Sequence, residues 1–591
     1  MQSAETVLGV LRERGRRSLP CNELYRQLFN PQLFLLAYGR IYANKGAMTP
    51  GVTEETVDGM SMAKIARIID AMRSECYRFT PVRRTWIPKK NGTRRPLGLP
   101  TWSDKLVGEV VRLLLEAYYE PTFSDRSHGF RPGRGCHTAL REVAETWTGT
   151  TWFIEGDISD CFGSLDHQVL LSILAEKIHD NRFLQLISRM LKAGYMDDWV
   201  FGATLSGAPQ GGVVSPILSN IYLDRLDKFA ETVLIPKHTS GRRRADNPAY
   251  RKLANQISAA RRRGDRSAVR ELGRRMRCLP SQDPNDPGYR RLHYARYADD
   301  HLLGFTGPRA EAEQIKAELA RFLADELRLE LSPDKTLITH GRTGAARFLG
   351  YEITIRRGQR LRNGRRTGTG NVDLRVPRSV IRQKCAPHLK RGEPACRSSL
   401  LSFDDYAIVA TFGAEYRGIV QYYLLAWDVY HLDRLHWVMQ TSLLKTLAGK
   451  HRSTAAKMAR KHKTTIDTPF GPRLCLEARI ERPGRKPLTA RFGGIPLHRK
   501  KDAIVTDRIP DPRRTAAFGK ELIHRFLTGR CELCGTEADC EVHHIRKLAD
   551  LDGNNQRGSA PTWVAWMTRQ QRKTLVVCMP CHTAIHAGAN T

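Results

Sequence analysis

The sequence predicts a multidomain α+β protein whose partner is a polyanion, and three observations carry that reading. The 591 residues exceed what one core organises; at about 150 residues per domain the expectation is roughly four. Alternating, strand-like runs are interspersed with segments of helical spacing along most of the chain. Lys plus Arg number 96 against 61 Asp plus Glu, a formal charge of +35. That balance argues against an ordinary metabolic enzyme and for nucleic acid as partner. A hydrophobic content of 41% excludes a disordered basic tail.

The elements follow in order. Residues 21–75 show helical spacing (Leu24 with Leu28, then Leu35, Tyr38 and Tyr42), interrupted by the turn-rich Asn44–Gly51. Residues 82–100 read as a hairpin turning at Lys89-Lys90-Asn91-Gly92. Leu106, Val110 and Leu114 share a helix face, TWFIEGDI near 151–158 is a buried strand, and helices are expected at 167–192 and 213–230. Residues 241–277 carry 13 Arg or Lys against 3 acids and read as a basic insertion that meets phosphate rather than core. Ile381–Ala448 reads as helical, and Lys445–Lys463 is basic with no acid. No apolar run reaches the roughly 18 residues of a membrane span, and the N-terminus lacks a secretory signal. Eight of the 13 cysteines are scattered and five lie between Cys531 and Cys581, so a reducing cytosol with one local metal site is expected.

The most informative segment is Arg296-Tyr297-Ala298-Asp299-Asp300-His301, two adjacent acids between apolar strands. Carboxylates that close repel, and a divalent cation resolves the repulsion; two such ions can clamp a phosphoryl displacement. Asp157, near the end of the 151–158 strand, is the obvious third carboxylate. A bare Asp-Asp pair is more often an exposed turn, and the surrounding motifs decide otherwise. With Asp157-Ile158-Ser159-Asp160-Cys161-Phe162, the Tyr-Ala-Asp-Asp hairpin resembles the palm of a reverse transcriptase. Around it, Leu24–Gly59, Arg84–Pro100, Ser127–Gly135, Ala208–Pro216 and Phe348–Tyr351 occur in the order of a bacterial group II intron-encoded protein. The chain therefore resembles that family over nearly its whole length. The basic insertion is longer than the family's minimal pattern.

The resemblance implies a right-hand polymerase of fingers and palm over 76–375, with the insertion at about 236–290. An N-terminal extension (1–75), an α-helical thumb and maturase domain (376–490) and a DNA-binding region (491–527) complete the frame. It implies that Asp157, Asp299 and Asp300 hold two Mg²⁺ ions. Lys89 and Arg95 would lie over the incoming triphosphate, Gln210 beside the nucleotide, and Phe162 against a 2′-hydroxyl, favouring dNTPs.

Residues 528–591 carry a second signal. Cys531-x2-Cys534 and Cys578-x2-Cys581 can supply four thiolates to a structural Zn²⁺, while Cys540 falls outside the paired spacing. Between and after the pairs lie His543-His544, Asn554-Asn555 and His582-x3-His586. This resembles a small zinc-containing His-Asn-His (HNH) endonuclease domain of ββα-metal form. By resemblance, His543, His582 and His586 ligate one divalent ion, and His544 is the general base, oriented by Asn554 or Asn555. The residues alone leave open which histidine is base and which is ligand. A purely structural zinc module is the plainer alternative.

The family implies a multifunctional protein: RNA-directed DNA polymerase, splicing maturase and site-specific endonuclease in target-primed retrohoming. Its partners would be intron RNA in a ribonucleoprotein, target DNA and dNTPs, with no membrane, in a bacterial cytoplasm. Alternatives are a splicing-only RNA-binding maturase, or a retron or defence-type reverse transcriptase.

Overall fold

A computed structural model describes residues 2–588 apart from 89–91, 198–199, 205, 208–211, 284, 357–360, 363–364, 367–369, 483, 506–520, 549–550 and 552–560. Lys89, Gln210, Asn554 and Asn555 lie outside the described residues. Among the described residues, no helix is long and apolar enough to cross a membrane.

The centre is a four-stranded antiparallel sheet. Its spatial order is Arg291–Tyr297, Asp300–Thr306, Trp152–Gly156, Ile338–His340. The strand Trp152–Gly156 pairs on both edges, and burial of Phe153 through Gly156 on both faces is why its run reads as largely apolar. The hairpin turns at Ala298 and Asp299, with Ala298 in the left-handed region at φ 55°. The segment 126–128 lies beside the hairpin: Arg296 N–H donates to Arg126 O at 2.8 Å and His128 N–H to Arg296 O at 2.9 Å. Gly129 passes so close to Ala298 that a side chain there would collide with its backbone.

Helix Trp102–Tyr119 is capped by Thr101, whose side chain accepts from Asp104 N–H. Trp102, Leu106, Val110, Leu113 and Leu114 are fully buried on it, and each such side chain contributes about 1.5–3 kcal/mol. The hairpin expected over 82–100 forms from Val82–Pro88 and Arg94–Leu99. The stretch expected as helical at 167–192 divides into His167–Ala175 and Asn181–Leu191, each N-capped by an aspartate. The basic insertion folds into Pro248–Arg262 and Arg266–Arg277, which together bury only Ile257 and Ala260.

Beyond Arg375, helices Asp405–Tyr422 and Asp433–Lys450 are packed together. Of the tyrosines, Tyr416 and Tyr423 are buried. The all-helical expectation for 376–490 is corrected here. Lys463–Thr468, Gly471–Arg482 and Arg485–Gly493 form a three-stranded antiparallel sheet. Cys475, Leu476, Ala490 and Phe492 are buried, with the last strand lying against helix Asp405–Tyr422.

The C-terminal domain has the expected ββα order, Cys540–His544, Thr574–Cys578 and helix Met579–His586. Two boundaries differ from expectation. Helix Glu521–Leu527, assigned above to the DNA-binding region, packs on both of these strands and on helix Pro31–Ile41. Strand Met60–Ser61 of the N-terminal extension adds to the edge of the ββα sheet, with Met60 opposite Val542 and Ser61 opposite Glu541. The apolar residues of the N-terminal extension and of the C-terminal domain therefore share one core.

Candidate functional sites

Antiparallel register places Gly156 opposite His301, which sets Asp157 beside Asp300 at the end of the sheet. Burial comes first among the causes that raise Asp299 and Asp300, and the neighbouring carboxylates add to it. Asp300, hydrogen-bonded to Asp157 and facing Asp299, is pushed up to about 7. Three carboxylates thus converge where like charge is hard to hold. The Lys335 ammonium supplies one compensating charge, donating to Asp157 Oδ2 at 2.6 Å. A carboxylate cluster that borrows an ammonium in this way is a fitting seat for hard divalent cations. Lys335 was not anticipated from the sequence; it lies 35 residues after Asp300, outside any recognised motif. Arg95, exposed on the 94–99 strand, lowers Asp299 through space. Half-buried Phe162 packs near Phe130, ring centroids 6.4 Å apart, and Phe130 in turn near Tyr297 at 6.2 Å.

Beneath the turn lies a fully buried ion pair. Arg296 Nε donates to Asp227 Oδ1 at 2.7 Å and Nη2 to Oδ2 at 2.5 Å. The remaining guanidinium donors reach Ala298 O, Ser127 Oγ and Asn220 Oδ1. Tyr294 donates its hydroxyl to Asp227 at 2.8 Å. The network ties the Arg291–Thr306 hairpin to helix Ser215–Phe229 and to the 126–128 segment.

The turn at Leu349-Gly350 joins strands Ala346–Phe348 and Tyr351–Ile355. Both of its carbonyls are held: Tyr422 donates to Leu349 O at 2.7 Å and Tyr423 to Gly350 O at 3.0 Å.

In the C-terminal domain the four cysteines Cys531, Cys534, Cys578 and Cys581 converge, their sulfurs all within 4.8 Å of one another. Cys534 and Cys578 approach to 3.7 Å, and all four are free thiols. A hydrogen bond with Thr536 leads the effects that lower Cys534 to about 6. Soft thiolates in this number fit Zn²⁺. Cys540, opposite Cys578 in the ladder, is not among the four.

A second cluster joins Asp58, His543, His582 and His586, their ligand atoms also within 4.8 Å. The three ring centroids stand 4.8–5.4 Å apart. His543 is 5% exposed, and neither of its ring nitrogens makes a well-formed hydrogen bond. Such an orphaned imidazole, facing two others, fits a divalent cation. His582 Nδ1 lies 2.7 Å from Glu541 Oε2, the outer carboxylate that orients a ligating histidine. Asp58 was missed because it lies 485 positions before His543 with no local motif.

His544 does not join this cluster, and its expected role as general base is corrected. Successive strand residues point to opposite faces, so His544 turns away from His543 into the shared core. Its Nε2 lies 2.9 Å from the Tyr38 hydroxyl, with the Tyr38 and Tyr42 rings about it. Burial drives it down to about 3, a neutral imidazole walled off from solvent.

The carboxylate hairpin and the histidine cluster each gather side chains able to hold a divalent cation. Comparison with known proteins agrees segment by segment. Residues 87–353 match the reverse transcriptase (RNA-dependent DNA polymerase) family, 376–469 the type II intron maturase family, and 531–582 the AI2M/AI1M-like HNH endonuclease family. The group II intron-encoded protein LtrA of Lactococcus lactis subsp. cremoris is 38% identical, covering 95% of this chain and 94% of its own. The putative COX1/OXI3 intron 1 protein of Saccharomyces cerevisiae is 30% identical over 96% of this chain and 69% of its own. Protein YkfC of Escherichia coli is 35% identical over 58% of this chain and 85% of its own. The chain belongs to the group II intron-encoded proteins, combining RNA-directed DNA polymerase, intron maturase and HNH endonuclease.

Proposed function

We propose that this protein carries its intron into DNA by target-primed reverse transcription: its nuclease nicks one strand, and the polymerase extends the freed 3′-hydroxyl on intron RNA. The observation that supports it most is the convergence of Asp157, Asp299 and Asp300, which read as ligands of two Mg²⁺ ions. Bound there, Mg²⁺ would stabilise the attacking and leaving oxygens of an in-line displacement. Lys335 neutralises Asp157 between turnovers. Arg95 receives the dNTP, a task the family resemblance also gives to Lys89 and Gln210; a guanidinium suits bidentate contact with phosphate. Phe162 stands against the sugar and disfavours a 2′-hydroxyl.

The region beyond Arg375 acts as thumb and maturase surface for intron RNA. The basic insertion and the Lys445–Lys463 tract add phosphate contacts. In the nuclease, His543, His582 and His586 would hold one divalent ion, whose charge would stabilise the scissile phosphate, and the four cysteines would hold a structural Zn²⁺. A cytoplasmic ribonucleoprotein is the working form, on DNA targets.

The test is primer extension on an RNA template with Mg²⁺ and dNTPs, wild type beside Asp299→Ala. Extension should occur and be abolished by the substitution while RNA affinity holds. Extension that survived Asp299→Ala would refute the palm assignment.

A further inference from the structure

The histidine cluster is unusual in its fourth member. His543, His582 and His586 all come from the C-terminal domain, whereas Asp58 comes from the N-terminal extension at the other end of the chain. Its placement is tightly determined. Gly59 N–H donates to Val542 O at 3.1 Å, and Met60 and Ser61 continue the pairing as an edge strand. His544 N–H donates to Asp58 Oδ1 at 2.7 Å, leaving that carboxylate aimed at the three rings.

The spacing of the four ligand atoms is that of a coordination shell. Asp58 oxygens lie 3.2 Å from His543 Nδ1, 3.4 Å from His582 Nε2 and 2.8 Å from His586 Nε2. His582 Nε2 and His586 Nε2 are 3.2 Å apart. Ligands about 2.1 Å from a tetrahedral ion stand about 3.4 Å from one another. Protons alone serve this arrangement poorly, because several ring nitrogens crowd one carboxylate and His543 is left without a proper hydrogen bond. Both His543 ring nitrogens are closed to solvent, so water does not substitute for that partner.

We propose that Asp58 is the fourth protein ligand of the nuclease cation site, so that a bound divalent ion bridges the N-terminal extension to the nuclease domain. The proposal rests on the three-histidine reading above and adds to it a ligand from outside the nuclease domain. The ion then has two jobs: it serves the nuclease, and it fastens residues 57–62 to the ββα sheet.

The experiment uses the full-length chain with Zn²⁺ bound, titrated with Co²⁺. The visible absorption of Co²⁺ on imidazole separates this site from the all-oxygen palm site. Wild type is compared with Asp58→Asn, which keeps the side-chain shape. Hydrogen exchange of residues 57–62 is followed in wild type with and without Co²⁺. Co²⁺ affinity at the imidazole site should fall at least about tenfold in Asp58→Asn, because losing a direct ligand costs at least as much as losing an outer hydrogen-bond partner. Bound Co²⁺ should slow exchange over 57–62. Equal Co²⁺ affinity in both proteins would overturn the proposal. If Asp58→Asn does not fold, wild-type exchange decides alone, and unchanged protection on Co²⁺ binding overturns it. Absence of any imidazole-bound Co²⁺ in wild type would instead remove the three-histidine reading itself.

Discussion

Replacing Asp227 by alanine should loosen the Arg291–Thr306 hairpin without touching Asp157, Asp299 or Asp300. Arg296 and Asp227 are both fully buried, and Arg296 stays charged under all ordinary conditions. Asp227→Ala leaves that guanidinium with only the neutral acceptors Ala298 O, Ser127 Oγ and Asn220 Oδ1. Stranding one partner of a buried pair costs about 3–5 kcal/mol. If that energy is drawn from local stability, opening of the Arg291–Thr306 hairpin rises between roughly 10² and a few times 10³-fold. Hydrogen exchange of the strand amides in 291–306 reads this directly, with the 405–450 helices as an internal reference. Primer extension should fall with it, because Asp299 and Asp300 sit on the loosened turn. Replacing both partners by apolar residues of similar size, Arg296→Met with Asp227→Leu, should recover much of the protection. Unchanged exchange in Asp227→Ala would refute the view that this pair holds the hairpin, and a double variant as loose as the single would show that charge is not the cause.

Other outcomes follow from the same structure. His543→Ala should remove DNA nicking while extension from a supplied primer persists; persistent nicking would place the nuclease centre elsewhere. Wild-type protein should retain one Zn²⁺ per chain by elemental analysis and Cys578→Ser should lose it, with raised hydrogen exchange over 530–545; equal zinc content would refute the four-thiolate site. Affinity for RNA should fall on the order of 10³-fold or more between about 50 and 200 mM salt if some ~6 phosphates are neutralised, and a flat response in a filter-binding series would mean that the +35 charge does not contact RNA. Tyr38→Phe should cost the nuclease docking surface about 1 kcal/mol through the lost hydrogen bond to His544, read as faster exchange in 540–544; an unchanged rate would argue against that contact.

What the sequence discloses and what it hides divide by distance along the chain. The hairpin at 291–306 is legible because its strands are adjacent and its two acids have a cost that chemistry must explain. The paired cysteines are legible because their spacing is itself a ligand geometry. Asp58 is not, since a carboxylate after a valine has no local signature and its partners lie at the far end of the chain. Lys335 escapes for the same reason, its loop being brought to Asp157 only by the sheet. The misreading of His544 has a different origin: two adjacent histidines look equivalent until a strand sends one toward Asp58, His582 and His586 and the other into the core. The sheet over 463–493 is obscured because its longest strand breaks alternation: Cys475 and Leu476 are both buried, and Leu474 before them is exposed.

The edge strand at Met60–Ser61 has a consequence for synthesis. Its partner strand begins about 480 residues later, which at ribosomal speeds of roughly 5–20 residues per second is a delay of about half a minute to a minute and a half. During that interval the emerging N-terminal extension has an open backbone edge and part of the apolar face of helix Pro31–Ile41 without its final cover. Such surfaces invite pairing with other nascent chains. A cell making this protein must therefore shield its first sixty residues until its last sixty arrive, and shortening the gene at the nuclease boundary would make that exposure permanent.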